Sequence, residues 1–404
     1  MSDVASARIQ HSALEVLRIF LRLGLTSFGG PIAHIGYFRE EFVVRRRWID
    51  EHAYADLVAL CQFLPGPASS QVGFSIGLMR AGYAGALAAW VGFTLPSAIA
   101  LVAFASVGGA LAGAHGAGLL HGLKLVAVAI VAQAVWGMAR SLCPDRARAT
   151  IAAVAAIVVL TSPSSAAQIA AIALGAIAGL GWCRDAPATS AGHLEVPVSG
   201  GTGLLALGAF FVLLVALPLV STQVHLPGLA LFEAFYRSGA LVFGGGHVVL
   251  PLLREAFVPG GWVSDDAFLA GYGAAQAVPG PLFTFAAYLG ALAKPAPNAI
   301  AGAALGVVGI FLPGLLILVG ALPFWDAFRQ RTHAQAMMRG VNAAVVGILG
   351  AALYNPVWTS SVKAPSDVAI ALAGFVLLTA WRAPPLVVVV AGALAGMAFG
   401  AATS

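Results

Sequence analysis

The chain has 404 residues, of which 60% are hydrophobic and only 9% are charged. Soluble domains carry about 25% charged residues, so this composition excludes a soluble protein and leaves no surface for a sizeable second domain. The net charge of +5 does not indicate nucleic-acid binding, because the basic residues cluster beside apolar runs, as topology signals do. Three scattered cysteines predict neither a disulfide framework nor a metal site.

The predicted elements follow the same order twice along the chain. Arg18 and Arg22 interrupt the first apolar segment, and we expect no cleaved signal peptide. Each half then predicts an apolar segment ending in Phe-Gly-Gly, a polar stretch, a Pro-Gly-Pro break, two long apolar helices and two short ones. The first half places these at Ser12–Gly30, Tyr37–Glu51, Pro65–Pro67, Gly82–Val107, Gly116–Met138, Ile151–Leu160 and Ala166–Leu180. The second half places them at Leu229–Gly246, Leu252–Asp266, Pro279–Pro281, Ala299–Leu322, Gly340–Leu353, Val368–Leu378 and Leu386–Phe399.

The two halves are also related residue by residue. Aligned without a gap, Phe20–Val43 and Phe235–Val258 are identical at ten of 24 positions. After a one-residue slip, the match continues to the shared Pro-Gly-Pro. A repeat of this length is a duplicated half and not a solenoid unit. In a membrane chain, breaks at matching positions of two halves are typical of a transporter and of its binding site.

Positive charges predict the orientation of each half. The stretch Tyr37–Glu51 holds four Lys or Arg, whereas its counterpart Leu252–Asp266 holds one. The loop Val107–His121 holds none, whereas its counterpart Pro323–Arg339 holds three. Every such comparison reverses between the halves, which predicts an inverted-topology repeat under the positive-inside rule. The apolar run Gly203–Val220 has no counterpart and supplies the extra crossing that an inversion needs.

The predicted fold is therefore an all-α polytopic membrane protein with two inverted repeats. Its Gly/Pro-broken segments are transmembrane or re-entrant. We expect an N-terminal repeat over residues 1–183, a linker with an extra transmembrane helix over 184–228, and a C-terminal repeat over 229–404.

Glycine and proline breaks make up the predicted binding site. In lipid, irregular backbone is tolerated only where it is buried or lines a cavity. Breaks expose N–H groups and helix N-termini, which favour anions. The alternative is that these glycines only allow tight helix crossing, but four breaks at symmetric positions favour a site. The candidate residues are Phe28, Gly29, Gly30, Pro65, Gly66, Pro67, Phe243, Gly244, Gly245, Pro279, Gly280 and Pro281.

Polar side chains inside apolar segments are the next candidates. The repeat mates Arg22 and Arg237 either hold an oxyanion with their planar fork or extend to the interface. Gln62 and Gln276 precede each Pro-Gly-Pro and are expected to donate to the same cavity. The accessory candidates are Lys124, Glu40, Glu255, His34 and His247.

Each accessory candidate also has a structural interpretation. Lys124 either binds substrate or neutralises a carboxylate. Arg39 with Glu40, and Arg254 with Glu255, are expected to form surface pairs or gates. For the histidines, packing is favoured over proton coupling. The acidic pairs Asp50–Glu51 and Asp265–Asp266 are expected to cap helices.

These motifs resemble the chromate ion transporter (CHR) family in its two-domain form. The resemblance rests on FGGPIAHIGYFREEFVVRRRWIDEHAYADLVALCQFLPGPASSQVGFSIG and on its weaker second copy, and it covers nearly the whole chain. It implies a multi-pass bacterial inner-membrane protein that exports chromate and confers chromate resistance, with sulfate as a related ligand. The second Phe-Gly-Gly is followed by Gly246 where the first has Pro31, which implies that the halves do not bind substrate equivalently.

Several alternatives stay open at the level of sequence. Chromate and sulfate are both tetrahedral dianions, and residues alone do not separate them. An anion channel is one rival; a membrane-embedded enzyme is another, although no metal-binding acidic cluster or nucleophile–base pair supports it. The chain has no Walker motif, so ATP is not its expected energy source. Separately, no cofactor is expected. The oligomeric state is open, with a homodimer among the options.

Overall fold

The computed structural model describes residues 12–28, 30–107, 114–162, 165–184, 196–224, 226–243, 248–294, 299–325, 327 and 331–402. The described residues are overwhelmingly helical, and no strand occurs among them. The first half contains α1 (Ala13–Thr26), α2 (Gly30–Phe38), α3 (Glu51–Phe63), α4 (Ala68–Val107), α5 (Ala114–Leu142), α6 (Arg146–Thr161) and α7 (Ser165–Trp182). Next come α8 (Gly200–Gln223), α9 (Pro227–Ala240), α10 (Val249–Phe257), α11 (Asp265–Ala275), α12 (Phe285–Leu292), α13 (Ala299–Ala321), α14 (Thr332–Ala352), α15 (Pro365–Thr379) and α16 (Pro385–Ala402).

Five helical stretches are long and apolar enough to cross a membrane, by length and composition. They are Ala68–Val107, Gly118–Leu142, Gly200–Gln223, Ala299–Phe324 and Thr332–Ser361. The third contains the predicted extra crossing and has a mean hydropathy of 2.7. The all-α polytopic fold is thus confirmed, whereas the orientation of each half across the membrane stays a prediction.

The Pro-Gly-Pro motifs interrupt helices as predicted. Helix α3 ends at Phe63 and α4 begins at Ala68. Helix α4 is itself divided at Ala81–Gly82, where the backbone leaves the helical region and Gly82 has a φ of +63°. The second half has two separate helices here, α12 and α13. Each of these two long helices contains an internal proline, Pro96 in α4 and Pro313 in α13.

The caps of α3 and α11 follow the prediction only in part. Asp50 caps α3 by accepting a hydrogen bond from the Ala53 N–H at 2.9 Å. At α11 the cap is Ser264, whose Oγ accepts from the Ala267 N–H at 3.2 Å. The prediction that the Asp265–Asp266 pair caps this helix was therefore wrong, because the serine directly before it takes that position.

The last two helices of each half pack on the other half. Helices α6 and α7 lie against α14, and α15 and α16 lie against α5. Small residues permit this close approach: Gly122 of α5 faces the backbone of Gly392 in α16, and Gly175 of α7 faces that of Gly340 in α14. The two halves are thus packed together through exchanged helix pairs.

Candidate oxyanion site

Each Pro-Gly-Pro turn forms a backbone hydrogen bond with the opposite half, and the two bonds are reciprocal. The Gly66 N–H donates to the Val242 carbonyl at 2.7 Å, and the Gly280 N–H donates to the Ser27 carbonyl at 2.9 Å. Ser27 and Val242 are repeat mates, and each stands directly before a Phe-Gly-Gly. Each Pro-Gly-Pro turn is therefore bonded to the break of the opposite half.

Both turn glycines are required by the backbone and by their surroundings. Gly66 has a φ of +115° and Gly280 a φ of +95°, in the region that disfavours L side chains. A Cβ on Gly66 would lie 2.9 Å from the Cα of Gly314. A Cβ on Gly280 would lie 3.0 Å from both the Phe93 carbonyl oxygen and Ser97 Oγ. Close packing between the halves thus leaves no room for a methyl group at Gly66 and almost none at Gly280.

Helix beginnings converge on this junction. Helix α2 begins at Gly30, which has a φ of +75°, α4 begins directly after Pro67, and the turn Leu282–Thr284 leads into α12 after Pro281. The first N–H groups of a helix lack intrahelical acceptors and carry the positive end of its dipole. The junction therefore favours an anion.

A buried histidine joins two parts of the first half. His34 Nε2 lies 3.2 Å from the Ser27 carbonyl oxygen, and Nδ1 lies 3.4 Å from Ser69 Oγ. Because a carbonyl can only accept, Nε2 carries the proton and Nδ1 of the neutral ring can accept from the serine hydroxyl. The ring edge also packs on Phe93. These contacts match the structural interpretation of His34, and proton coupling through it stays a prediction.

Several buried polar atoms near the breaks have no hydrogen-bond partner among the described residues. These atoms are Ser27 Oγ, Ser70 Oγ, Thr94 Oγ1 and the Gln71 Oε1. The other end of the Gln71 amide is fixed, because Nε2 donates to the carbonyls of Pro65 at 2.9 Å and Gly314 at 2.8 Å. A buried hydroxyl without a partner costs free energy that a bound ligand oxygen would recover.

Sequence reasoning missed these four residues. For Ser70 and Gln71 a signal was present, because together with Ser69 they follow the first Pro-Gly-Pro after a single alanine, inside an otherwise apolar run. Polar residues just after a helix break occupy the first turn of the next helix, where they lie beside its free N–H groups.

The two arginines and two glutamines predicted for the site differ in exposure and in hydrogen bonding. Arg22 is exposed on α1, and Arg237 Nε donates to Glu233 at 2.7 Å. Gln62 is exposed, whereas Gln276 is half-buried and its Nε2 has no partner among the described residues. Whether the arginines contact substrate stays a prediction.

The remaining break residues lie partly outside the described residues. Phe28, Phe243 and Pro279 are half-buried, and the rest of both Pro-Gly-Pro motifs is buried. The predicted site residues Gly29, Gly244, Gly245 and His247 lie outside the described residues.

Two ion pairs occupy equivalent places in the two halves. Arg39 Nε donates to Glu51 at 2.7 Å, and Arg254 Nε donates to Asp265 at 2.8 Å. The hydrogen bond from Arg39 holds the pKa of the Glu51 carboxyl below its ordinary value. The predicted pairing of each arginine with the glutamate directly after it was therefore wrong, because the acid at the start of the following helix is the partner.

The accessory candidates Glu40, Glu255 and Lys124 differ in burial and in their partners. Glu40 is exposed, whereas Glu255 is half-buried beside a small cavity. Lys124 donates to Asp266, which matches the carboxylate-neutralising interpretation. Among the described residues, no group of three His, Cys, Asp or Glu side chains could hold a metal ion.

Five candidate spans and a junction of broken helices define a polytopic α-helical membrane protein. The chromate transporter family model matches residues 14–180 and 229–397, so the chain belongs to the chromate transporter family. It is 29% identical to the chromate transport protein of Pseudomonas aeruginosa, over 93% of this chain and 90% of that protein. It is 27% identical to the chromate transport protein of Cupriavidus metallidurans, over 97% of this chain and 95% of that protein. A shorter stretch, 30% of this chain, is 34% identical to the uncharacterized transporter YwrB of Bacillus subtilis and covers 61% of that protein. No solved structure shows significant similarity to the chain.

Proposed function

We propose that the chain is a secondary transporter that exports chromate across the bacterial inner membrane and thereby gives chromate resistance. Family membership and the names of the relatives from Pseudomonas aeruginosa and Cupriavidus metallidurans support chromate as substrate. Sulfate is a second expected ligand, since it is also a tetrahedral dianion.

The reciprocal junction is the observation that carries this proposal. It bonds each buried Pro-Gly-Pro glycine to the residue that directly precedes the Phe-Gly-Gly of the opposite half. Helix N-termini supply positive potential there, and the unpartnered hydroxyls of Ser27, Ser70 and Thr94 supply donors. A tetrahedral dianion accepts several hydrogen bonds at once, so it fits such a set of donors.

Export requires no ATP. Moving a negative charge outward across an inside-negative membrane releases about 2.3 kcal/mol per 100 mV, and two charges roughly double that. The potential alone therefore drives a dianion out of the cell, and coupling to a second ion is not required for net export.

Labelled chromate uptake into inverted vesicles tests this proposal. A potassium diffusion potential that makes the lumen positive should drive chromate inward, and excess sulfate should compete. Unlabelled chromate inside the lumen should accelerate uptake if the chain works by alternating exchange. Large unitary currents without such acceleration would establish the channel alternative, and uptake that ignores the potential would contradict electrogenic export.

A further inference from the structure

A small polar cavity lies apart from the junction, where the first half meets the second. Its volume is about 50 Å³, and it is bordered by helices α6 and α7 of the first half and by α10 and the end of α14 of the second. The polar side chains in its wall are those of Gln168, Arg254, Glu255 and Asn355. None of the predicted roles for these residues accounts for the cavity.

Gln168 contributes a buried acceptor to this wall. The residue is only 5% exposed, and its Oε1 accepts no hydrogen bond from the described residues. An amide oxygen left in this state calls for a donor or a cation. The counterpart region of α16 offers no such side chain, because its first turns are Pro-Leu-Val-Val-Val-Val.

The two charged residues in the cavity wall are Arg254 and Glu255, and among the described residues only Arg254 has a charged partner, which lies outside the wall. Arg254 is neutralised by Asp265, whose second carboxylate oxygen accepts from Ser360 Oγ at 2.7 Å. Glu255 is half-buried and forms no ion pair with the described residues. A single bound positive charge would therefore make the site neutral.

A distorted helical segment borders the same cavity. Helix α14 ends at Ala352, and both Ala351 and Ala352 border the cavity. Pro356 stands four residues after Ala352 and has no N–H, so the chain continues from α14 as the π-helical turn Leu353–Trp358 and not as an α-helix. The backbone at Asn355 leaves the helical region, with a φ of −127°. This turn brings the amide side chain of Asn355 to the wall that also holds Gln168.

We propose that this cavity binds one small alkali cation, with Na⁺ as the best fit. Carboxylate and amide oxygens, which this wall supplies, are donors that hard cations prefer, and a single carboxylate suits a monovalent ion better than Ca²⁺. Because Gln168 belongs to the first half and Glu255 to the second, the ion would bridge the two halves. This inference goes beyond the proposed function and does not require that chromate be the substrate.

Binding of radioactive ²²Na⁺ to the purified full-length protein tests this site directly. Binding should saturate near one ion per chain. The melting temperature should rise with NaCl on the order of 2 °C, and not with N-methylglucamine chloride at the same ionic strength. No specific binding, or an equal rise with both salts, would overturn the proposal and leave the cavity to an ordered water.

Variants locate the ion at this cavity. Glu255→Gln and Gln168→Met should each weaken Na⁺ binding by about tenfold or more. Glu40→Gln is the matched control, because Glu40 is the repeat mate of Glu255 and is exposed. Melting curves of each variant without Na⁺ show whether the variant is folded, so that weaker Na⁺ binding is not confused with unfolding. Unchanged ²²Na⁺ affinity in a folded Glu255→Gln protein would place the ion elsewhere and overturn the assignment. Chromate uptake is measured separately, so failure of either proposal is recognised without the other.

Discussion

The two halves share a backbone arrangement at the junction but not its side chains. The hydrogen bonds from Gly66 and Gly280 are nearly the same length, at 2.7 and 2.9 Å. Around them, polar Ser27, His34 and Gln71 of the first half correspond to Val242, Val249 and Phe285 of the second. The repeat has thus kept the backbone contact that joins the halves, while these three polar side chains of the first half have apolar counterparts in the second.

A second difference concerns helix packing. Helix α11 packs along α5, with Gly273 against the backbone of Leu123 and with Lys124 bonded to Asp266. The equivalent helices, α3 and α14, have no comparable packing among the described residues. The two halves are therefore packed differently in this structure, although their sequences are related.

The largest expected effect comes from the turn glycines. Gly66→Ala should abolish chromate transport, because the methyl group meets the Gly314 backbone and the positive φ adds strain. Gly280→Ala should be milder, since Ser97 Oγ can rotate away and the Phe93 carbonyl oxygen, at 3.0 Å, needs to shift by only a few tenths of an ångström. The control is Gly261→Ala, which has a φ of +71° but no atom within 4 Å of the new methyl. If uptake assays show as large a loss of chromate transport in Gly261→Ala as in Gly66→Ala, backbone strain alone explains the loss and the contact with Gly314 does not.

The next largest effect is expected at Ser27, one of the polar residues of the first half at the junction. Ser27→Ala should leave the melting temperature unchanged or higher, because the hydroxyl has no partner among the described residues. Chromate affinity should nevertheless fall by about tenfold or more, since a hydrogen bond to a charged ligand is lost. Transport assays over a range of chromate concentrations measure this. Wild-type affinity in Ser27→Ala would remove that hydroxyl from the site.

A smaller effect is expected at the α5–α11 contact. Lys124 is 12% exposed and Asp266 is 74% exposed, so the pair is largely screened by solvent. Lys124→Asp or Asp266→Lys should slow transport about two- to fivefold, and the double swap should restore it. Arg148→Asp, in the local pair with Asp145, is the matched control. If the double swap is as slow as the single variants, the pair does not hold the two helices together during transport.

The smallest effect is expected at the predicted arginines. Arg22 is exposed and Arg237 pairs with Glu233, so lysine should substitute with less than about twofold loss of chromate affinity. A fall of about ten- to a hundred-fold would instead mean that the planar guanidinium holds the dianion. A different loss of chromate affinity in Arg22→Lys and Arg237→Lys would show that the two halves contribute unequally to binding.

Repetition made much of this architecture predictable. Glycine and proline act through the backbone, so their spacing alone located the breaks at residues 65–67 and 279–281. Composition predicted the all-α membrane fold, because a helix satisfies its own backbone in lipid.

The side chains of the site were harder to predict. The partner of Arg39 is Glu51, twelve residues away, and the choice depends on how the π-helical turn Arg39–Arg45 ends. Gln71 reaches Gly314, 243 residues away along the chain, and no local pattern encodes such a contact. Hydroxyls such as that of Ser27 were overlooked because serine is common in membrane helices and becomes informative only when its partners are known.

The exchanged helix pairs also constrain how the protein is made. Helix α7 ends at Trp182, but its partner α14 begins only at Thr332. At a synthesis rate of about 5–20 residues per second, α7 waits roughly 10–30 s in the bilayer before α14 emerges. During that interval the Gly175 face is covered only by lipid or by the insertion machinery. Biogenesis of this chain is therefore a late, long-range assembly, and the halves made as two polypeptides in one cell should still find each other through these faces.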